Sequence, residues 1–248
     1  AARVAELLER TNASYFAEPE IQFPLAARER AGRNPRRADI IVASFLSPVP
    51  DEPWSRIAAG EVWIAQPATA APGKVALCHR TAQAPYLDGH LGDVCWQHAI
   101  KVPLRSEADH RQAGALGEGD VAAGTYVQFA YDGKFLYLAA RLPRAAGLES
   151  APVEQPGRTD DADLRGQDRL SLQLDVDRDY ATYYRIDVDQ RGWTADACWD
   201  NETWNAQRYI AAADHADRWL LEMAIPLAEL VPQPPQPGET WAAGVVRI

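Results

Sequence analysis

Residues Thr125–Leu142 read TYVQFAYDGKFLYLAARL, and the alternation in this stretch decides the fold. Val127, Phe129 and Tyr131 share one side of an extended chain, because successive side chains of a strand point to opposite faces. Asp132-Gly133 is a strong tight-turn signal. Beyond it, Phe135, Tyr137 and Ala139 alternate with Leu136, Leu138 and Ala140. The stretch is a β-hairpin.

The same alternation extends along most of the chain after Lys74. DRLSLQLDVD sets Leu170, Leu172 and Leu174 inward and Arg169, Ser171 and Gln173 outward. TYYRIDVD repeats the pattern with Tyr184, Ile186 and Val188, and RWLLEMAIPL with Trp219, Leu221, Met223 and Ile225. Short half-apolar strands separated by polar turns predict a mainly β fold, an antiparallel immunoglobulin-like or jelly-roll-type β-sandwich. WAAGVVRI reads as one more strand, and its end at Ile248 reads as a strand cut short.

Residues 1–73 follow a different pattern and read as a small, partly helical N-terminal region. Val4, Leu7 and Leu8 form a short helical stripe, and Leu25–Arg30 suggests another helix after Pro24. GRNPRR reads as a basic loop, IIVASFL as one buried strand or helix segment, and Trp54–Ala59 as a short helix. QPATAAPGK, small and proline-rich, reads as a linker into residues 74–248.

With 47% hydrophobic residues in 248, the chain can bury a proper core. It has no apolar run long enough to span a membrane, and AARVAELLER is too charged for a signal-peptide core. A net charge of −10, carried mostly by residues 74–248, argues against a nucleic-acid partner, which needs clustered Lys and Arg. Cys78, Cys95 and Cys198 form no metal-binding spacing; a Cys78–Cys95 disulfide and three isolated buried thiols are both open.

From APYLDGHLGDVCWQHA onward, the segments in order resemble the family 9 carbohydrate-binding modules and their β-sandwich relatives. That opening is similar to the family's apolar–Asp–Gly pattern followed by Trp and Ala. The similarity runs through YDGKFLYLAARL, GQDRLSLQLDVDRD, YYRIDVDQRG and RWLLEMAIPLAEL. It closes in PGETWAAGVVRI, similar to the family's late Gly–Trp–Arg segment. It covers about residues 74–248 and leaves 1–73 outside.

The resemblance implies a non-catalytic module that binds a polysaccharide or oligosaccharide, within a larger extracellular or periplasmic protein such as a glycoside hydrolase. Residues 1–73 would then be the end of a preceding region, and other domains of the parent protein would be partners. Family members can also carry structural Ca²⁺. The wider fold group includes haem-binding cytochrome domains, which need an axial pair such as Met with His. Met223, the only methionine, falls in a core-like strand. A sandwich that makes protein contacts without binding sugar is a third reading, since fold alone does not set function.

The candidate sugar site lies in GWTADACWDNETWN, Gly192–Asn205, and the residues just after it. Sugar rings stack their C–H faces on aromatic faces while polar groups satisfy the hydroxyls. Trp199 and Trp204 are the expected platforms, with Asp200, Asn201, Glu202, Asn205 and Arg208 as edge partners. The alternative is that these rings plug an open end of the sandwich. Trp193, directly after a glycine turn, reads as structural, and Trp96 and Trp219 read as core.

Asp175, Asp177 and Asp179 offer oxygen ligands at alternate positions, as a Ca²⁺ site would, or form a plain acidic turn. An EF-hand loop is excluded, because its sixth and twelfth positions would be Tyr180 and Ile186. Asp160, Asp161 and Asp163 read as a solvated loop. No carboxylate pair stands out for glycosidase chemistry, and the nucleophile elbow, phosphate loop and zinc-helix motifs are absent. His79, His90, His98, His110 and His215 are scattered, without a partner motif.

Overall fold

The structure, a computed structural model, describes residues 2–32, 34–48, 52–67, 70–104, 124–144 and 159–248. Helices α1 (Ala2–Thr11), α2 (Ala13–Phe16), α3 (Pro19–Ala31), α4 (Pro35–Ala43) and α5 (Pro53–Ala65) come first. Strand β1 (His79–Arg80), helix α6 (Val94–His98) and strand β2 (Val102–Pro103) follow. Next come β3 (Tyr126–Tyr131), β4 (Phe135–Pro143), β5 (Arg169–Asp175), β6 (Tyr184–Asp189) and β7 (Thr194–Cys198). The chain continues with β8 (Tyr209–Asp214), β9 (Arg218–Pro226), helix α7 (Leu227–Leu230) and β10 (Ala242–Arg247).

The strands build a β-sandwich of two sheets. The larger runs β1-β3-β4-β9-β8, with β2 also on β3, and the smaller runs β10-β5-β6-β7. The expected hairpin is β3–β4, with Val127 opposite Ala140 and Phe129 opposite Leu138. Its turn is held by Asp132, whose Oδ1 accepts from the Lys134 and Phe135 amides, each at 2.7 Å. Of the residues that alternation sets inward, Leu170, Leu172, Leu174, Ile186, Val188, Trp219, Leu221, Met223 and Ile225 are buried, while Tyr184 is only half-buried; Val127 and Leu138 of the hairpin are buried with them. Asp168 ties strands of both sheets together, accepting from the indole of Trp219 at 2.9 Å and from both Nε and Nη2 of Arg247 at 2.8 and 2.7 Å.

The outer face of the larger sheet is covered too. Leu87, Leu91, Cys95, Trp96 and Ala99 pack on Ala130, Tyr137, Ala139 and Ala224. In the middle of this outward-facing row stands Glu222, opposite Ala139 on one side and Ala211 on the other, and it has no exposed surface.

A second compact unit comprises residues 1–75 with 174–183 and 238–242. It is more helical than its sequence pattern predicts. IIVASFL is mostly helix, and Pro35 of the expected basic loop starts α4, where a proline's missing N–H costs nothing. Pro24 lies inside α3. Phe23, fully buried, gathers the rings of Phe45, Trp54 and Tyr180 at 5.4, 5.1 and 5.4 Å. All three cysteines are free thiols, and Cys78 is exposed rather than buried.

Candidate functional site

Trp199 sits at the tip of a tight turn after β7. The Cys198 amide donates to the Asn201 carbonyl at 3.1 Å and the Asn201 amide returns the bond at 2.9 Å. Only Trp199 and Asp200 lie between them. To close so short a turn, Trp199 adopts φ of +56°, a left-handed conformation that costs a side-chain-bearing residue roughly 1–2 kcal/mol. The residue is also 55% exposed. A large apolar side chain is thus held in water at a strained position.

Trp204 is half-buried and packs on Tyr184, with ring centroids 4.8 Å apart and planes 34° apart. It meets Tyr184, not Trp199. The Tyr184 hydroxyl is anchored on the Leu230 carbonyl at 3.2 Å. Asp200, Asn201, Glu202 and Asn205 are all exposed on the same loop. Asn201 also holds the loop internally: its Oδ1 accepts from the Thr203 amide at 3.1 Å and from the Thr203 hydroxyl at 2.7 Å.

Arg208 is placed differently from the other edge residues. Its side chain is 4% exposed, and its Nη1 lies 3.0 Å from Oδ2 of Asp196, which is itself fully buried. Asp196 stands opposite Ile186 in the strand register, where an apolar residue would fit. Burial pushes its carboxyl above the ordinary range, with Asp161 and Asp160 adding to the rise, while the Ala206 amide and Arg208 oppose it. Nothing in TADAC marks Asp196 as buried, since Thr194 and Asp196 alternate with alanines as polar residues of an exposed face would. A buried carboxylate needs a cationic partner, and Arg208 was the available signal.

The acidic turn after β5 brings its three carboxylates together. One oxygen from each of Asp175, Asp177 and Asp179 lies within 4.8 Å of the others. Asp175 accepts from the Asp179 and Tyr180 amides at 3.2 and 2.8 Å. Asp179 accepts from the Ala181 and Thr182 amides at 2.8 and 2.7 Å. Among the described residues, no Lys or Arg forms an ion pair with the three. Burial, then its acidic neighbours, pushes the Asp175 carboxyl up to about 6, against the pull of the Tyr180 amide. An all-oxygen, uncompensated cluster has the chemistry of a hard-cation site.

Other expectations resolve locally. Trp193 packs in the β6–β7 turn, with the Arg191 guanidinium 3.8 Å over its ring. Trp96, Trp219 and Met223 are buried. Asp160 is not merely solvated, since it accepts from Thr194 Oγ1 at 2.8 Å. His79 lies near His98 and His90 near His215, with ring centroids 5.7 and 6.3 Å apart, and His110 lies outside the described residues. No helix among the described residues is long and apolar enough to cross a membrane.

No family model matches the chain, and no curated protein matches it. Among solved structures it is similar to a family 9 carbohydrate-binding module from Caldicellulosiruptor kristjanssonii in complex with cellotriose. That match has 14% identity over 69% of this chain and 82% of the other, with a TM-score of 0.40. A family 9 module from the same organism in complex with glucose matches at 16% identity, 64% and 70% coverage and a TM-score of 0.37. A Bacteroides uniformis protein named for carbohydrate binding matches at 13%, over 46% and 56%, with a TM-score of 0.30.

Proposed function

We propose that the sandwich binds a polysaccharide or oligosaccharide at the loop 199–205, without chemistry of its own. It would serve as a module of a larger extracellular or periplasmic glycan-degrading protein. The observation that carries this reading is Trp199, exposed at a left-handed turn position. Strain of this kind points to function because folding alone would favour glycine there. An indole face in water suits the C–H face of a sugar ring, and Asp200, Asn201, Glu202 and Asn205 suit its hydroxyls. Trp204, backed by Tyr184, offers a second, firmer platform.

The substitution Trp199→Gly separates binding from folding. It removes the ring and relieves the strain, so Tm is expected to stay level or rise slightly. Glycan binding is expected to fall at least tenfold, the equivalent of about 1.4 kcal/mol. Isothermal titration follows an array screen across plant and algal polysaccharides. If Trp199→Gly binds as tightly as the parent chain, Trp199 has no part in the site. If the parent binds no glycan at all, a protein-contact role becomes the better reading.

Ca²⁺ is proposed for the acidic turn, held by Asp175, Asp177 and Asp179, where it would neutralise the cluster and brace the turn. Folding raises the Asp175 pKa from an unfolded value of about 3.9 to about 6. The proton is therefore held more tightly in the folded chain. Its stabilising contribution is complete below the lower value and is lost as pH rises through about 6. Calcium should cancel that loss, and at a hundredfold excess over Kd it would add about 2.7 kcal/mol. Thermal melts at pH 7.5, with calcium or with chelator, should differ by several degrees, and Asp177→Asn should abolish the difference. Identical melts would remove the site.

A further inference from the structure

We infer that Asp196 is a positioning residue for the tryptophan loop, acting through Arg208 and the backbone of Ala206. The inference rests on the sugar-binding reading above for its functional meaning, but its geometry is independent of it.

The loop from Trp199 to Arg208 carries both aromatic platforms and is mostly exposed. Its near end is set by the mutual Cys198–Asn201 hydrogen bonds. Its far end is set by a clamp around Ala206. The Ala206 amide donates to Asp196 Oδ2 at 3.0 Å, and the Ala206 carbonyl accepts from Arg208 Nη1 at 2.8 Å. The same Nη1 pairs with Asp196 Oδ2 at 3.0 Å and reaches Asn205 Oδ1 at 3.4 Å. Arg208 Nη2 completes the bracket, donating to Thr194 Oγ1 at 2.7 Å and to Asp160 Oδ1 at 3.2 Å.

One residue, two after Trp204, is thus gripped at both its amide and its carbonyl, which fixes the peptide groups on either side of it. Loops without such anchors wander, because few buried contacts oppose chain entropy. In this loop the buried anchor is Ala206, and a charged pair sealed from water supplies it. A dry ion pair is a weak device for stability but a strong one for geometry, since charge-assisted hydrogen bonds tolerate little misalignment. Arg208 therefore acts on the site from behind, and Asp196 decides where Arg208 stands. Asp196 Oδ1 and Arg208 Nε remain without hydrogen-bond partners in the interior, so the pair is not closed on itself.

The test uses the full chain labelled with 5-fluorotryptophan, comparing the parent with Asp196→Ala and Asp196→Asn. In Asp196→Ala the fluorine signals of Trp199 and Trp204 are expected to shift or broaden, while those of Trp96 and Trp219 stay in place and report an intact sandwich. Asp196→Asn keeps an acceptor for the Ala206 amide and is expected to restore most of the parent spectrum. Glycan affinity, measured with cellotriose and with any array-positive oligosaccharide, is expected to drop at least tenfold in the alanine variant and about threefold in the asparagine variant. Unchanged Trp199 and Trp204 signals in Asp196→Ala overturn the inference, as does an affinity equal to the parent's. A parent chain that binds no glycan, but whose loop signals move as described, overturns the sugar reading and leaves the positioning role standing.

Discussion

Glu222→Ala is expected to lower the stability of the sandwich by about 3–5 kcal/mol, a large share of the 5–15 kcal/mol that holds a typical domain folded. The carboxylate has no exposed surface, yet it sits on the outward face of β9. Its Oε1 accepts from the Trp96 indole at 2.7 Å, and its Oε2 accepts from the Gly89 and Asp88 amides at 2.8 and 3.1 Å. Burial raises its pKa, and those three donors oppose the rise. All three donors come from the segment that covers the sheet, so this one side chain fastens the cover. Alanine would strand the two buried donors, the Trp96 indole and the Gly89 amide, at about 1–3 kcal/mol each, and the segment would lift. Glutamine keeps one acceptor oxygen but turns an N–H₂ group toward donors, so its cost should fall between the two. Gly89→Ala should fail for a related reason: φ is +79° and an added Cβ would sit 2.6 Å from the Ala213 Cβ. Urea unfolding of the variants measures each cost. An alanine variant within 1 kcal/mol of the parent would show that the cover is held by apolar packing alone.

The strands were legible because one residue in two had to be apolar, and Leu170, Leu172, Ile186 and Leu221 obey that rule without exception. Glu222 obeys it as well, alternating away from the apolar side. Its burial was invisible because the cover that buries it lies more than a hundred residues earlier, in LDGHLGDVCW. The burial of Asp196 and Arg208 was opaque for the same reason: a partner ten or more residues away leaves no local periodicity, and Arg208 reads as a surface group. Trp199 was legible as a surface ring because its neighbours are polar, whereas its left-handed backbone was not, since nothing in the sequence around Trp199 marks it. Helices α3–α5 were under-read because prolines at their first positions look like breaks until the chain is seen to start there.

In the helical unit, Glu61→Ala is expected to cost about 3–5 kcal/mol, the range for leaving buried charges without their partner. Glu61, with a side chain 5% exposed, faces Arg30 through Oε2 and Arg178 Nε at 2.9 Å through Oε1. Oε1 also accepts from the Tyr180 hydroxyl at 2.6 Å. Arg30 Nη2 donates on to the Arg178 carbonyl at 2.8 Å, and Arg178 Nη1 to the Thr240 carbonyl at 2.6 Å. One carboxylate therefore organises two guanidinium groups and a phenol. The loss should spread into residues 174–183, because Arg178 and Tyr180 both hold left-handed backbones, at φ of +55° and +58°. Each such backbone costs roughly 1–2 kcal/mol and persists only while its side chain is held. Hydrogen exchange should therefore accelerate together in α3, α5 and the turn at 176–182, while β3, β4 and β9 keep their protection. Glutamine, which can still accept from Tyr180 but cannot neutralise the arginines, should give a smaller change with the same distribution. If exchange in the turn stays at the parent's rate while the helices open, the strained backbone is held by the Asp175 and Asp179 hydrogen bonds instead, and Glu61 serves the helices alone.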